Sequence, residues 1–249
     1  MTEYRESDAE QSRTNDLTRI IRKISGSTIS SIDIGARDGF FSRLLAEYFD
    51  TVLALDLEKP SFSYDGVTCV QGDATDLKFD SGHFDLVFCA EVLEHIPTQL
   101  LDAACSELSR VSSQYILIGV PYKQDIRLNR NTCHSCGETS PPWGHVNSFD
   151  EKRLESLFPE YTIEEKSFVG KTKSYTNSLS AALMDFAGNP YGTYEQDEPC
   201  GHCGKQLIEP PERTLLQRVA SKVAFQIRNV QGPFIKEHPN WIHVLFKRK

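Results

Sequence analysis

Short apolar segments alternate with helical segments through the first half of the chain, and this alternation limits the folds that the sequence can adopt. Five segments predict strands, and they lie at 28–35, 51–58, 67–74, 84–91 and 115–122. Helices are predicted at 40–49 and 98–112, where apolar residues recur at helical spacing. Apolar strands separated by helices indicate an α/β fold whose parallel sheet is covered on both faces.

The regular alternation ends near Pro121, and the remaining residues divide between further core segments and two irregular stretches. A helix is predicted to start at Ser148, which forms a capping box with Glu151, and strands follow at 161–170 and 241–249. We predict a leader and helix at 1–27, a core of 28–170 and 241–249, and an insertion of 122–147 and 171–240.

Two amphipathic helices complete this prediction. The N-terminal one is expected around Leu17, Ile20, Ile21 and Ile24, after a polar leader. The second spans 213–229, with an apolar stripe of Leu216, Val219, Val223 and Ile227. Its basic residues lie opposite that stripe, and they are Arg213, Arg218, Lys222 and Arg228. We interpret this basic face as the solvated outer surface of the helix, and the alternative is a docking surface for an anionic substrate or membrane.

Charge and composition restrict the partners of the chain. Its 249 residues suffice for one domain with a sizeable insertion. A formal net charge of −8 argues against a general electrostatic hold on nucleic acid. The N-terminal residues do not form a signal peptide, and no apolar run approaches the roughly 20 residues that span a bilayer. We therefore expect a cytoplasmic protein without a transmembrane segment, and the sequence does not set its oligomeric state.

The first predicted strand runs into a glycine turn in the stretch SIDIGARDGF. A strand, a glycine turn and a helix in this order direct backbone N–H groups at a ligand above the sheet. A dinucleotide fingerprint would need three glycines where this chain has Gly35, Arg37 and Phe40. The backbone of this turn therefore cannot approach a pyrophosphate closely.

The turn instead resembles the acidic-x-Gly-x-Gly-x-Gly turn of class I S-adenosylmethionine-dependent methyltransferases, with Arg37 in place of the middle glycine. Acidic residues also end the next three strands, at Asp56, Asp73 and Glu91, and HFDLVFCAEVLEHIP resembles the fourth-strand motif of that family. The resemblance is closest to the type 11 branch and covers 28–170 and the last strand. It implies a Rossmann-like sheet of seven mostly parallel strands with helices on both faces.

The resemblance implies S-adenosylmethionine as the cofactor. The glycine turn would hold its methionine end, the Asp56 carboxylate would accept its ribose hydroxyls, and Asp73 with the N–H of Ala74 would contact the adenine edge. The residues expected to contact the cofactor are Asp33, Gly35, Ala36, Gly39, Asp56, Leu57, Asp73, Ala74 and Glu91.

Two Cys-x-x-Cys-Gly motifs predict a metal site. CHSCGE contains Cys133 and Cys136, and CGHCGK contains Cys200 and Cys203. Two such motifs together supply the four thiolates of a tetrahedral structural zinc site. The alternatives are free thiols or a redox pair, although neither motif opens a helix after a strand. A disulfide framework is disfavoured by the total of seven cysteines and the lack of a secretion signal.

Zinc would join the two long insertion segments, because each of them carries one cysteine pair. In the family that this chain resembles, both segments emerge at the cofactor end of the sheet, so the joined insertion is expected to form a lid that determines acceptor specificity. His134 and His202 lie inside the motifs and are alternative ligands.

Methyl transfer needs a positioned acceptor and, for a hydroxyl acceptor, a base that removes its proton. The candidate catalytic residues are Glu94, His95 and His145, and His145 is the preferred base. Glu91, Glu94 and His95 share one helical face and, with His145, could also hold Mg²⁺, as a similar cluster does in some O-methyltransferases. We favour the interpretation in which this stretch shapes the cofactor pocket without a metal.

These features predict an O-methyltransferase that acts on a small or medium-sized acceptor, such as a sugar, lipid or secondary metabolite. An RNA methyltransferase is the enzymatic alternative, which the acidic charge disfavours. The alternative from another class is a cofactor-binding scaffold that uses its cysteine motifs to hold a partner. A scaffold would not need the acidic set of Asp33, Asp56, Asp73 and Glu91.

Overall fold

The computed structural model describes residues 7–27, 29–196, 198–209 and 212–249. Its strands are β1 (Ser30–Ile34), β2 (Thr51–Asp56), β3 (Val67–Gln71), β4 (Phe84–Ala90), β5 (Ser112–Pro121), β6 (Asn131–Thr132), β7 (Thr139–Ser140), β8 (Tyr161–Val169) and β9 (Trp241–Arg248). Its α-helices are α1 (Asp8–Ile24), α2 (Phe40–Leu45), α3 (Leu101–Val111), α4 (Glu151–Leu157), α5 (Ser178–Phe186) and α6 (Leu215–Gln231).

The described residues form two compact units. The first unit contains the chain up to Tyr122 together with Phe149–Gly170 and Pro239–Lys249. The second unit contains Lys123–Ser148 and Lys171–His238. No helix among the described residues has both the length and the apolar character that a membrane span requires.

The first unit is built on a seven-stranded sheet with the order β3-β2-β1-β4-β5-β9-β8. The neighbouring pairs from β3 to β5 are parallel, and β9 runs antiparallel to both β5 and β8. This arrangement confirms the predicted sheet of seven mostly parallel strands.

Alternate residues of the central strands face opposite sides of the sheet and build two cores. In β4, Leu86 and Phe88 pack with buried residues of α1 and α2. Val87 and Cys89 pack on the other face with buried residues of α3 and α4. Both faces are therefore covered by helices, as the apolar strands predicted.

Helix α1 is longer than the predicted helix, because it includes most of the expected polar leader. It begins after Ser7, whose hydroxyl accepts the Glu10 backbone N–H at 3.3 Å. A hydrogen-bond contact joins it to β9, with Nδ1 of the buried His243 lying 2.7 Å from Oδ2 of Asp16. Burial opposes ionisation of Asp16, but the hydrogen bond with His243 lowers its pKa to about 2.

The predicted capping box at Ser148 is wrong. The helix α4 begins at Glu151, and its N-cap is Asp150, two residues after Ser148. The Asp150 carboxylate accepts the Arg153 backbone N–H at 2.8 Å. Asp and Ser cap helices about equally well, so the motif alone did not distinguish the two positions. Glu151 instead accepts the hydroxyl of Tyr122 at 2.9 Å.

The second unit contains the β6–β7 hairpin and the helices α5 and α6. Helix α5 was not predicted. Helix α6 was predicted at 213–229, and its start is fixed by a capping box in which Thr214 and Gln217 cap each other's backbone. The predicted apolar stripe is largely exposed, since Leu216, Val219 and Val223 all face solvent. The small residues of α6 are buried instead.

Candidate active site and cysteine cluster

The glycine turn after β1 needs glycine at two positions. Gly35 and Gly39 have φ angles of 78° and 76°, in the left-handed region. A Cβ atom at Gly35 would lie 2.3 Å from Val92 Cγ2, and one at Gly39 would lie 2.1 Å from the Phe62 ring. Both glycines are therefore required by conformation and by space.

Arg37 takes the left-handed conformation that a glycine would otherwise supply, with φ at 44°. Its side chain is exposed, so nothing in the turn is displaced by it. Its backbone N–H donates to Oδ2 of Asp56 at 2.9 Å. The N–H groups of Gly35 and Ala36 donate to the carbonyl oxygen of Leu55 at 2.8 and 3.1 Å. The end of β2 therefore holds the turn in place, and the turn accommodates Arg37 at the position where the methyltransferase motif has its middle glycine.

The Asp33 carboxyl group lies beneath this turn and is buried. Its Oδ2 accepts the Ser42 hydroxyl at 2.5 Å, which joins the end of β1 to α2. Burial raises the pKa of Asp33 to about 7, against the opposing effect of the Ser42 hydrogen bond. In this geometry Asp33 positions the turn.

The ends of β2 and β3 lie side by side, because Asp56 pairs with Gln71 in the sheet register. Leu57, the next residue, is 67% exposed. After β3, the Asp73 carboxylate accepts both the backbone N–H and the hydroxyl of Thr75 at 2.8 Å. Ala74 is half-buried against the core. These predicted contact residues all lie at the carboxyl edge of the parallel strands.

Glu91 follows β4 and has a φ of 58°, a conformation that costs energy for a residue other than glycine. Trp241 Nε1 donates to its Oε2 at 3.4 Å, and Arg13 Nη1 lies 3.6 Å from its Oε1. Burial raises the pKa of Glu91 to about 7 in spite of the nearby positive charge of Arg13. A strained, buried carboxyl group at a strand end is typical of a functional site.

The next turn contains Glu94 and His95. Glu94 is fully buried, and neither of its carboxyl oxygens has a hydrogen-bond partner among the other described residues. Burial raises its pKa well above the ordinary value, and the charge of Glu91 adds to that shift. His95 is half-buried, and its backbone N–H donates to Val92 at 3.0 Å.

Sequence reasoning missed three residues that surround Glu91. Glu10 and Arg13 are buried in α1 and pair with each other at 2.7 Å, and the Arg13 guanidinium lies 5.9 Å from the Trp241 ring centroid. Glu10 and Arg13 share the helical face of the predicted apolar residue Leu17. Continuing the helical spacing of the buried residues from Leu17 toward the N-terminus would have included Glu10 and Arg13.

The third predicted catalytic residue, His145, belongs to the second unit and is buried there. Its Nδ1 lies 2.6 Å from the Gln124 side-chain oxygen, which can only accept a hydrogen bond. In the tautomer that donates from Nδ1 to this oxygen, the lone pair of the neutral ring lies on Nε2. Trp143 packs near the ring, with centroids 6.0 Å apart.

The four predicted metal ligands converge in the second unit. The Sγ atoms of Cys133 and Cys203 lie 3.6 Å apart, those of Cys136 and Cys200 lie 3.7 Å apart, and all four lie within 4.8 Å of one another. These separations are too long for disulfides. Four thiolates bound to one zinc ion lie about 3.8 Å apart, given tetrahedral Zn–S bonds of about 2.3 Å.

The two cysteine loops have the same backbone geometry. In the first, the N–H of Gly137 donates to the Cys133 carbonyl at 2.8 Å; in the second, the N–H of Gly204 donates to the Cys200 carbonyl at 2.8 Å. Both glycines have a positive φ, at 78° and 68°. Repetition of one tight loop on both sides of the cluster is what a pair of zinc knuckles requires.

Both buried cysteines of the cluster favour the thiolate form that binds metal. Backbone N–H groups of Cys136 and Ser135 donate to Cys133 and lower its pKa. Burial opposes ionisation of Cys200, but the backbone N–H groups of His202 and Cys203 lower its pKa to about 6. The Glu138 backbone N–H lowers the pKa of Cys136, but burial and the neighbouring cysteines raise it to about 12. The four thiols therefore do not all ionise together unless a cation such as Zn²⁺ compensates their charge.

Comparison with known proteins gives a family match for the first unit. Residues 32–114, about a third of the chain, match the family model described as "Methyltransferase domain", of type 11. This segment runs from β1 through α3 and contains the glycine turn and the acidic strand ends. No curated protein sequence is significantly similar to the chain.

Solved structures share the fold at low sequence identity. The N-methyltransferase NodS from Bradyrhizobium japonicum, bound to S-adenosyl-L-homocysteine, is 13% identical with a TM-score of 0.54, over 98% of this chain and 89% of that one. The 1,6-didemethyltoxoflavin-N1-methyltransferase from Burkholderia thailandensis is 12% identical with a TM-score of 0.56, over 97% and 80%. The PH0226 protein from Pyrococcus horikoshii is 20% identical with a TM-score of 0.52, over 66% and 88%.

The family match and the strand order define a methyltransferase domain with the class I fold. The chain is therefore a methyltransferase, with this domain at residues 32–114. The half-buried carboxyl group of Glu91 fits S-adenosylmethionine, because its Oε1 accepts no hydrogen bond from the described residues and a cationic ligand would add to the partial compensation that Arg13 gives at 3.6 Å.

Proposed function

We propose that the chain transfers the methyl group of S-adenosylmethionine to a hydroxyl group on a small or medium-sized acceptor, such as a sugar, lipid or secondary metabolite. The bound cofactor supplies a methyl group on a sulfonium, which is already activated for displacement. A hydroxyl acceptor must lose its proton as the new bond forms, so this reaction gains from a positioned base.

His145 is proposed as that base, and the observation that carries the proposal is its contact with Gln124. In the tautomer that donates from Nδ1 to the Gln124 oxygen at 2.6 Å, Nε2 would have the lone pair that accepts a proton. The same contact fixes the ring orientation. Glu94 and His95 remain candidates for positioning the acceptor, and the burial of Glu94 supports a neutral carboxyl group there. No step of this proposal requires Mg²⁺.

The cofactor is proposed to bind at the carboxyl edge of β1, β2, β3 and β4. Asp56 would accept the ribose hydroxyls, Asp73 and Ala74 would contact the adenine, and Glu91 would face the cationic methionine end. The remaining proposed contacts are Asp33, Gly35, Ala36, Gly39 and Leu57. The exposed carboxylate of Asp73 supports its assignment. Oε1 of Glu91 lies 3.6 Å from Arg13 Nη1 but accepts no hydrogen bond from the described residues, which leaves it able to accept one from a ligand.

The cysteine cluster is proposed to hold one structural Zn²⁺. Cys133, Cys136, Cys200 and Cys203 supply four ligands, which leaves no open position for substrate chemistry. Neither His134 nor His202 joins the cluster among the described residues. The ion would join two chain segments, because 63 residues lie between Cys136 and Cys200. We also propose that the second unit determines which acceptor is used.

The test uses the zinc-loaded full chain and S-adenosylmethionine with a tritiated methyl group. A panel of sugars, phenols and fatty alcohols is compared with the corresponding amines, and tritium is counted in each product. We expect label in hydroxyl acceptors, and a rate for H145A that is about 10²- to 10⁴-fold lower. The matched control is H83A, because His83 is exposed. Labelling of amines alone, at the same rate in H145A, would overturn the proposal.

A further inference from the structure

Helix α6 presents its large apolar side chains to solvent and its small ones to the protein. Its buried residues are Ala220, Ser221 and Ala224, and the carbonyl of Ala224 accepts the hydroxyl of Ser180 on α5 at 2.9 Å. Five of its large apolar residues are between 44% and 79% exposed, and they are Leu215, Leu216, Val219, Val223 and Val230. This is the reverse of the arrangement that packs a helix onto a protein core.

The exposed apolar residues form one stripe, which we call the α6 stripe (Leu215, Leu216, Val219, Val223 and Val230). At 100° per residue, these five positions fall within an arc of about 100°, interrupted by the polar residue Gln226. Phe234, in the turn that follows the helix, is 83% exposed and extends the apolar character beyond the helix end. A contiguous apolar surface of this kind marks an interaction site.

Basic residues border the α6 stripe. Arg218 and Lys222 are exposed, lie one turn apart, and have no acidic partner among the described residues. The helix also carries Arg228 and contains no acidic residue along its 17 positions. This basic segment stands out in a chain with a net charge of −8.

We propose that the α6 stripe binds the surface of an anionic lipid bilayer, with the helix lying in the plane of the interface. Apolar side chains in one arc with basic residues beside them are the pattern of interfacial helices. Arg218 and Lys222 would contact anionic headgroups, while residues such as Val219 enter the acyl boundary. Nothing in this proposal depends on which acceptor is methylated.

The positive charges of Arg218 and Lys222 disfavour a second copy of this chain as the partner of the α6 stripe. A symmetric dimer through the α6 stripe would bring Arg218 and Lys222 of both copies to one interface. The helix has no acidic side chain that could compensate them. An anionic bilayer supplies both the apolar phase and the opposite charge.

The experiment is flotation of the zinc-loaded full chain with lipid vesicles. We expect flotation with phosphatidylcholine vesicles that contain phosphatidylglycerol, little with phosphatidylcholine alone, and release at high salt. V219E should reduce bound protein at least about tenfold, and R218E/K222E should do the same. I208E is the matched control, since Ile208 is 60% exposed in the same unit but lies outside α6.

Circular dichroism and S-adenosylhomocysteine binding establish that each variant is folded. Retained flotation of V219E, or flotation that is equal with both vesicle types, would overturn the proposal. A dimer that V219E dissociates, measured by light scattering and without flotation of the wild type, would overturn it in favour of a second copy. Loss of flotation in V219E and R218E/K222E but not in I208E would support it.

Discussion

The backbone N–H of Arg37 donates to Oδ2 of Asp56 at 2.9 Å, so a carboxylate from the end of β2 fixes the turn after β1. The second oxygen of that carboxylate, Oδ1, accepts no hydrogen bond from the described residues. Asp56 can therefore stabilise the turn and receive a ligand hydroxyl at the same time. The two roles can be separated by substitution.

We expect D56A to weaken S-adenosylhomocysteine binding by about 1–3 kcal/mol, or about 5- to 150-fold, because charged hydrogen bonds are lost. D56N keeps an oxygen that can accept the Arg37 N–H, so its melting temperature should stay near that of the wild type while its affinity falls. Calorimetric titration gives the affinity, and thermal unfolding gives the stability. Unchanged affinity in D56A would place the ribose away from this residue.

Arg37 itself should be replaceable by glycine. Arg37 has a strained backbone, with φ at 44°, and its side chain is exposed, so R37G should leave cofactor affinity unchanged. R37V should be about 1–2 kcal/mol less stable than R37G, because a β-branched residue does not tolerate the left-handed region. Urea unfolding of the two variants measures this difference. Equal stability would mean that the turn relaxes to another conformation.

The alternation of strands and helices made the sheet predictable from sequence. Strands buried on both faces, such as β4, are apolar at nearly every position, and acidic residues mark where they end. Asp56 and Glu91 could thus be named from the sequence. Their partners could not, since Arg37 N–H and Trp241 reach them only after the chain has folded.

The second unit was less predictable, because its residues are fixed by long-range contacts. The cysteine spacing identified the cluster, yet helix α5 was missed. Helix α6 shows the limit of periodicity. Its apolar stripe was visible at Leu216, Val219 and Val223, but a pattern cannot say which face of a helix is covered, and small residues such as Ala224 face the protein here.

Buried carboxyl groups should make the stability of the ligand-free protein fall as the pH rises. Burial raises the pKa of Glu91 from 4.5 to about 7. Between these values the folded protein holds a proton that the unfolded chain has released. The resulting stabilisation is complete below pH 4.5 and is lost as the pH rises through 7. Urea unfolding from about pH 5 to pH 8 should show this decline, and E91Q should reduce it.

Asp33, whose pKa is also raised to about 7, and Glu94, whose pKa burial raises well above the ordinary value, leave a remaining decline in E91Q. E47Q is the control, since Glu47 is exposed and should leave the slope unchanged. S-adenosylmethionine has a net positive charge from its sulfonium and favours ionised Glu91, so its binding near pH 6 should release protons, detected by calorimetry in buffers of different ionisation enthalpy. The same slope in E91Q as in the wild type would contradict the assignment.

The cysteine cluster should contain one zinc ion per chain by mass spectrometry of the metal content. C133S/C200S removes one ligand from each loop. It should release the zinc, because only two of the four thiolate ligands remain. Hydrogen exchange should then increase in the second unit, while S-adenosylhomocysteine affinity is retained by the first. C69S is the control, since Cys69 lies in the first unit. Retained zinc would exclude the cluster as its site, and unfolding of both units would assign the zinc to the core.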